Sequence, residues 1–181
     1  MPSTSAARSL APWRERVVAR ARASVGRRLL GEPTAATRDW LAELLDRPTA
    51  RLPPWSALQL RREACQPGDL VLFAVRDAPG GDRSRDPAPL DPRGGERLPL
   101  TTADLVAGIV CACQGSRADF VFVSGPYVRH GRLDQADPHQ RRNPRGGVIN
   151  SFVRVRLPGD APGAEYLAGA LFAGYATVAA P

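Results

Sequence analysis

Hydrophobic positions in the first third of the chain recur at helical spacing. From Trp13 to Leu30 apolar residues stand four positions apart, and arginines fill most of the remaining helical wheel. A second helix is predicted from Ala35 to Asp46, with Thr34 or Thr37 as its N-cap. The stretch from Trp55 to Glu63 suits a third, short helix. The pattern therefore predicts a helical N-terminal part.

Short apolar runs follow the helical part and predict strands. Four such runs are Leu70–Phe73, Val106–Cys113, Phe120–Ser124 and Gly147–Arg156, of which the last alternates apolar and polar residues. A final apolar run, Leu167–Val178, suits either a helix or a strand. Helices followed by strands are typical of an α+β domain.

The length of 181 residues fits one domain. We expect residues 1–12 to form a disordered N-terminal arm and residues 13–181 to form the domain. Prolines, glycines and acidic residues crowd the segment 76–99, which predicts a flexible loop inside that domain. No run of about 18 apolar residues occurs, so we expect no membrane span.

Arginine supplies all of the formal positive charge of the side chains. The sequence has no lysine, and 25 arginines against 18 acidic residues give a net charge of +7. Two explanations stay open: a bias of genome composition, or an arginine surface that binds anionic partners. Neither a block of like charges nor a row of aromatic residues accompanies the arginines, so we do not expect nucleic-acid binding.

Three cysteines, Cys65, Cys111 and Cys113, indicate neither a disulfide framework nor a zinc site. Because Cys111 and Cys113 alternate along a predicted strand, we expect them to share one face as small buried residues. The first ten residues lack the apolar core of a secretory signal. We therefore expect a cytoplasmic protein, unless a dedicated secretion or injection system exports it.

The most specific segment of the chain runs from Gln66 to Phe73. It contains Pro67, Gly68 and Asp69, a turn whose aspartate can accept backbone hydrogen bonds, directly before a buried strand. This segment resembles the Pro-Gly-Asp-Leu-Val-Phe-Phe signature of NlpC-type cell-wall peptidases and of the related CHAP amidases. The resemblance extends over about residues 13–178. It implies an α+β papain-like fold with N-terminal helices packed on a small antiparallel sheet or half-barrel.

The resemblance also implies where catalytic residues would stand. In the family a nucleophilic cysteine begins the second helix, a histidine lies on the strand after the turn, and a third polar residue lies on the next strand. These positions fall on Thr37, Val106 and Ser124 in this sequence. Papain-like chemistry needs a thiolate activated by an imidazole, so we expect no catalysis from these residues. We expect no metal and no cofactor.

The resulting functional hypothesis is a pseudoenzyme. The chain would act as a protein-binding or structural adaptor module, for example within a secretion or phage-like assembly, with a muropeptide as a second class of ligand. We expect Arg38, Asp39, Trp55 and Arg129 to contribute to binding, and Arg38 in particular to meet an anionic partner.

An active enzyme is the alternative hypothesis. A cell-wall peptidase or amidase with a non-standard site would combine Cys65 or Thr37 as nucleophile with His130 or His139 as base. Cys65 directly precedes the Pro-Gly-Asp turn, which brings it near the expected cleft. A turn of this kind supplies neither a helix N-terminus nor a cation to lower the pKa of the thiol, so the pseudoenzyme is preferred.

Overall fold

The computed structural model describes residues 10–75, 105–156, 158, 160 and 163–178. In these ranges the chain forms helices and strands in the order α1 (Pro12–Ala23), α2 (Pro33–Leu44), β1 (Leu70–Ala74), β2 (Leu105–Gln114), β3 (Arg117–Ser124), β4 (Tyr127–Asp134), α3 (Ala168–Leu171) and β5 (Phe172–Ala176). The strands form one antiparallel sheet in the order β4-β3-β2-β1-β5. The predicted α+β class is confirmed.

Helix α1 is shorter than its apolar periodicity predicts. It begins with Pro12, where the missing N–H of proline costs no hydrogen bond, and it ends at Ala23 instead of Leu30. Gly26 then has a φ of +89°, and its N–H donates to the Val128 carbonyl at 2.9 Å. After Ala23 the chain leaves the helix, and its backbone forms hydrogen bonds with the edge of β4 instead.

Helix α2 is capped by a residue that the sequence pattern did not indicate. The carboxylate of Glu32 accepts a hydrogen bond from the Ala35 N–H at 2.7 Å. Backbone N–H groups of Thr34 and Ala35 hold the pKa of Glu32 below its usual value. The predicted caps Thr34 and Thr37 lie inside the helix instead. The predicted third helix is only a single 3-10 turn, Trp55–Ala57.

Strand β1 lies between β2 and β5 and is buried on both faces. Its register pairs Leu70 with Ile109 on one side and with Ala176 on the other. From Leu70 to Phe73 no residue is more than 1% exposed. The short apolar run after the turn is thus a core strand, as the sequence predicted.

The sheet contains one strand that the hydrophobic pattern did not predict. Strand β4 pairs with β3 along all 8 of its residues. The two strands are joined by a two-residue turn of Gly125 and Pro126. Exposed polar side chains on β4, at Arg129, His130 and Arg132, obscure the apolar alternation. The Gly-Pro pair is the sequence signal that marks this hairpin.

The alternating run Gly147–Arg156 is not a strand, so that prediction was wrong. Asn150 within it has no exposed surface, and its side chain bonds the Asp134 N–H at 2.8 Å, the Asp137 carbonyl at 2.8 Å and the Gln140 carbonyl at 2.9 Å. These bonds hold the segment across the end of β4 rather than alongside it. An alternating sequence forms a strand only where its backbone has a strand to pair with.

The two faces of the sheet carry separate hydrophobic layers. Helices α1 and α2 cover one face, where Val17, Trp40 and Leu41 pack with Ile109 and Val121. The other face is an aromatic layer covered by the C-terminal part of the chain. Its members include Phe73, Phe120, Phe122, Val153, Phe172 and Tyr175. The central strands of the sheet are therefore buried on both sides, whereas the edge strand β4 keeps exposed side chains.

Asp69 of the Pro-Gly-Asp turn joins four parts of the chain. It has no exposed surface and accepts hydrogen bonds from Arg14 Nη1 at 2.8 Å, the Gln66 N–H at 2.8 Å and Thr177 Oγ1 at 3.0 Å. Arg61 Nη2 donates to the second carboxylate oxygen. The expectation that this aspartate fixes its own turn is confirmed, and it also fixes α1 and the chain after β5.

The predicted flexible loop at 76–99 lies outside the described residues, as does the arm up to residue 9. Residues 10–12 are described, and α1 already begins at Pro12. No helix in the described ranges is long and apolar enough to cross a membrane.

Candidate functional site

A pocket of about 290 Å³ lies where the start of α2 faces the β2–β3 hairpin. We call it the Thr37 pocket. It is lined by Pro33, Thr34, Thr37, Trp55, Val75, Leu105, Val106, Val123, Ser124, Gly125, Val153, Arg154 and Val155. Most of these side chains are apolar, and hydroxyl groups supply much of the remaining lining.

The three positions that the resemblance assigns to catalysis all line this pocket, with Val106 packed against the aromatic layer on the face of the sheet opposite α2. Thr37 comes from the first part of α2, Val106 from the start of β2 and Ser124 from the end of β3. The antiparallel pairing of β2 with β3 brings the last two together, because the start of one strand faces the end of the next. Packing of Trp40 and Leu41 against the sheet brings α2 to the same end.

Among the described residues, none that lines the pocket is a base that could activate the Thr37 hydroxyl. Its Oγ1 atom donates to the Pro33 carbonyl at 2.8 Å, one helical turn back. The chain has two histidines, and both are exposed and outside the pocket. His130 lies on β4, and His139 Nδ1 lies 3.3 Å from Glu165. Nucleophilic catalysis by Thr37 requires a base beside its hydroxyl. Neither histidine lines the pocket to serve as that base.

Cys65, a candidate nucleophile, has no free thiol in this structure. Cys65 forms a disulfide with Cys113 at the end of β2, with Cα atoms 6.4 Å apart. The sequence indicated no disulfide, because its three cysteines are an odd number and form no framework. Neither cysteine lines the Thr37 pocket.

Cys111 and Cys113 point to opposite faces of the sheet, so the expectation that they share a face is wrong. The pairing of β2 with β3 shifts register between Val110 and Ala112. Such a bulge inserts one residue and reverses the alternation beyond it. Cys111 therefore packs with the helices and Cys113 with the aromatic layer. Burial raises the pKa of the Cys111 thiol, with Arg22 opposing that effect.

The four expected binding residues occupy different places. Trp55 is buried and lines the Thr37 pocket, whereas Arg38, Asp39 and Arg129 do not. Arg38 Nη2 donates to the Leu52 carbonyl at 3.1 Å, and its guanidinium lies 5.2 Å from the Trp55 ring centroid. Arg38 thus holds Trp55 against α2.

Two of these residues lie on the surface. Asp39 accepts a hydrogen bond from Thr49 Oγ1 at 2.7 Å and so ties the chain after α2 back to the helix. Arg129 is exposed on β4. Both are removed from the pocket lining, which leaves Trp55 as the expected binding residue with direct access to a ligand.

The wall formed by Val153, Arg154 and Val155 was missed by the sequence interpretation. Arg154 pairs with Asp160, and its guanidinium lies 5.4 Å from the Tyr166 ring centroid. Tyr166 donates its hydroxyl to Asp160 at 2.7 Å, and this bond raises the pKa of the tyrosine. No local motif marks this wall, because the segment is held by bonds from residues distant in sequence, including those of Asn150 and the bond from the Val153 N–H to the Tyr166 carbonyl.

The described lining of this pocket supplies apolar surface and hydroxyl groups. In the described part of the chain, no group of three or more His, Cys, Asp or Glu side chains is placed to hold a metal ion. A search of protein-family models, a search of curated proteins and a search of solved structures each find no match to this chain.

Proposed function

We propose that this chain is a catalytically inactive NlpC/CHAP-like module of the papain-like type that binds a protein partner through the Thr37 pocket. The observation that supports the proposal is that Thr37, Val106 and Ser124 all line one pocket. They come from three elements, and the resemblance assigns them the three catalytic positions of the family. A papain-like site needs its nucleophile, base and orienting residue at one such junction.

The residues at these positions support binding without cleavage. Val106 offers no proton-accepting group, and the Thr37 hydroxyl is hydrogen-bonded to the backbone of its own helix. A fold can be retained after the chemistry of its site has been lost, since function depends on the site. The cleft then remains as a recognition surface.

The lining of the Thr37 pocket favours an apolar side chain as its occupant. Trp55, Val106, Val123 and Val153 form apolar walls, and Ser124 adds a hydroxyl that can bond a peptide backbone. The volume of about 290 Å³ is at the lower limit of the range for small-molecule sites. It suits a side chain of a protein partner better than the sugar and peptide of a muropeptide.

The alternative of an active peptidase or amidase draws no support from the described residues. Its proposed nucleophile Cys65 is held in a disulfide, and its proposed bases His130 and His139 are exposed outside the pocket. Removing one member of a catalytic group commonly costs several orders of magnitude in rate.

The Cys65–Cys113 disulfide also bears on where the chain acts. Disulfides persist in oxidising compartments and are rare in the cytosol, where thiols are kept reduced. This bond favours action after export over the cytoplasmic location expected from the N-terminal sequence. Blocking free thiols in living cells before purification tests this: a linked 65–113 peptide supports export, and two blocked thiols support the cytoplasm.

Partner capture with a pocket variant tests the proposed function. Ser124→Trp fills the Thr37 pocket, and Arg129→Trp adds the same ring at an exposed site outside it. We expect a partner captured by the wild-type chain to be lost with Ser124→Trp and kept with Arg129→Trp. Equal capture by both variants would contradict a role for the pocket.

Incubation with peptidoglycan sacculi and with soluble muropeptides tests the absence of catalysis. We expect no turnover by the wild-type chain. Turnover that disappears in Thr37→Ala or Cys65→Ala would overturn the pseudoenzyme proposal and establish the active alternative.

A further inference from the structure

A second pocket, of about 430 Å³, lies at the other end of the β2–β3 hairpin. Its walls are the end of β2, the start of β3, the end of β4 and the loop at 143–149. Its polar lining includes Arg117, Asp119, Arg132 and Asn143, and we call it the Arg132 pocket. We propose that it binds a small ligand carrying an oxyanion group, either phosphate or carboxylate. It shares no lining residue with the Thr37 pocket, so the proposal is independent of the proposed function.

Arg132 lines this pocket with a guanidinium that two other groups already hold. Its Nη1 donates to the Val148 carbonyl at 3.2 Å, and its Nε lies 3.5 Å from Asp119 Oδ1. Among the described hydrogen bonds none involves Nη2. The side chain is therefore anchored on one side and has donors available on the other.

Arg117 is arranged in the same way on the next strand. Its Nε donates to Asp134 Oδ2 at 2.7 Å, and the side chain is otherwise 63% exposed. Ser116 and the Ala136 N–H also bond this carboxylate, at its other oxygen. No described hydrogen bond uses either Nη atom of Arg117, so both remain available to a ligand.

Asn143 adds a third oriented donor, from the loop wall. Its Oδ1 accepts the N–H groups of Arg145 at 3.0 Å and Gly147 at 2.9 Å. Those two bonds determine which end of the amide is oxygen. The Nδ2 group makes no hydrogen bond among the described residues, and Asn143 lines the pocket.

The charge around the pocket favours an anion. The loop from His139 to Gly147 contains three arginines and no acidic residue, and Arg141, Arg142 and Arg145 are all exposed. Asp119 opposes this field, because its carboxylate lines the pocket and lies next to Arg132. An incoming oxyanion would therefore compete with Asp119 for that guanidinium.

Side chains from three different elements bring donors to this pocket, and each side chain is already held by another contact. Such a set of donors suits an oxyanion. A guanidinium binds phosphate and carboxylate through paired N–H groups, and these charge-assisted bonds are stronger than neutral ones. Anchoring reduces the side-chain entropy that binding must remove. The volume of about 430 Å³ lies within the range of small-molecule sites.

Titration calorimetry with inorganic pyrophosphate and, separately, succinate tests the proposal on the full chain. We expect saturable binding of at least one probe, with the stronger probe identifying phosphate or carboxylate as the preferred group. Arg132→Met removes a donor, and Asn143→Asp keeps Oδ1 while replacing the Nδ2 donor with a charged oxygen. Each should weaken binding at least about tenfold, as expected for the loss of one charge-assisted bond. Circular dichroism verifies that each variant is folded.

Two further variants separate a site from general charge. Arg129→Met removes the same charge from the same strand outside the pocket, and we expect less than about a twofold effect. Asp119→Asn removes the competing carboxylate and should tighten binding several-fold. Absence of saturable binding below about 1 mM for both probes, or an equal loss in Arg129→Met and Arg132→Met, would overturn the proposal.

Discussion

Arg14 of α1 donates through Nη1 to the Asp69 carboxylate at 2.8 Å, and both side chains are buried. Removing the carboxylate leaves a buried guanidinium without its charge partner, which typically costs about 3–5 kcal/mol. We expect Asp69→Asn to lower the free energy of unfolding in urea by about this amount. Glu43→Gln breaks the exposed Arg27–Glu43 pair and serves as control, with an expected loss below about 1 kcal/mol. Equal losses would contradict the joining role of Asp69.

The disulfide between Cys65 and Cys113 spans 48 positions and should stabilise the fold. In the chain-entropy model, closing a loop of that length contributes about 4 kcal/mol at 25 °C. We expect a reducing agent to lower the free energy of unfolding of the wild-type chain and to leave the variant Cys65→Ser/Cys113→Ser unchanged. Peptide mapping without reduction checks the pairing, and a cross-link that contains Cys111 would contradict it.

Asp134 makes stability depend on pH. Burial opposes its ionisation, but hydrogen bonds from Arg117, the Ala136 N–H and Ser116 outweigh burial and hold its pKa below the usual value. The unfolded state therefore binds the proton more readily, so this contribution is present above the unfolded pKa of about 3.9 and is lost as pH falls. We expect the free energy of unfolding to decrease between about pH 5 and pH 2.

The variant Asp134→Asn assigns that pH dependence. It should be less stable than the wild-type chain at pH 7 and should lose less stability on acidification, as measured by urea unfolding at each pH. Arg117→Met should flatten the pH profile in part, because it removes one of the bonds that lower the pKa. Parallel profiles for Asp134→Asn and the wild-type chain would contradict this assignment.

Gly131 is required by the aromatic layer. A Cβ atom at this position would lie 2.5 Å from Phe120 Cζ. Phe120 has no exposed surface and packs with Phe73 and Phe122 at centroid distances of 5.0 Å and 5.2 Å, so its ring has no room to move. We expect Gly131→Ala to destabilise the fold by about 1–3 kcal/mol. In a double-mutant cycle Phe120→Leu should recover part of that loss, and strict additivity would contradict the contact.

The sequence predicted those parts of the fold that are determined by residues close together in the chain. The buried strand after Asp69 follows from a short apolar run behind a turn, and the packing of Val17 and Ala21 follows from helical periodicity. Strand β4 was missed because its partner β3 supplies its hydrogen bonds, while its own side chains are largely polar. The bulge that separates Cys111 from Cys113 likewise depends on pairing between strands.

The same distinction applies to the candidate site. Thr37, Val106 and Ser124 could be named from the family resemblance, because each lies in an element with its own local signal. The wall that contains Arg154 could not be predicted, since Asn150 holds that segment through bonds to the end of β4 and to the residues after it. The Cys65–Cys113 pairing could be seen only in the structure, because nothing in the sequence distinguishes one cysteine pair from another.

We propose that the Thr37 pocket keeps the arrangement of a papain-like site without its nucleophile and base. Restoring both groups in the variant Thr37→Cys/Val106→His tests that geometry directly. An imidazolium beside a thiol lowers the pKa of the thiol. Alkylation by iodoacetamide across a range of pH, followed at residue 37 by peptide mass spectrometry, measures that pKa without interference from Cys111.

Two reference variants complete the measurement. Thr37→Cys alone gives the pKa of the thiol without a histidine, and Thr37→Cys/Arg129→His places the histidine outside the pocket. We predict that the thiol of Thr37→Cys/Val106→His has a pKa at least about one unit below that of both references. The same pKa in all three variants would contradict the claim that these positions form a papain-like pair.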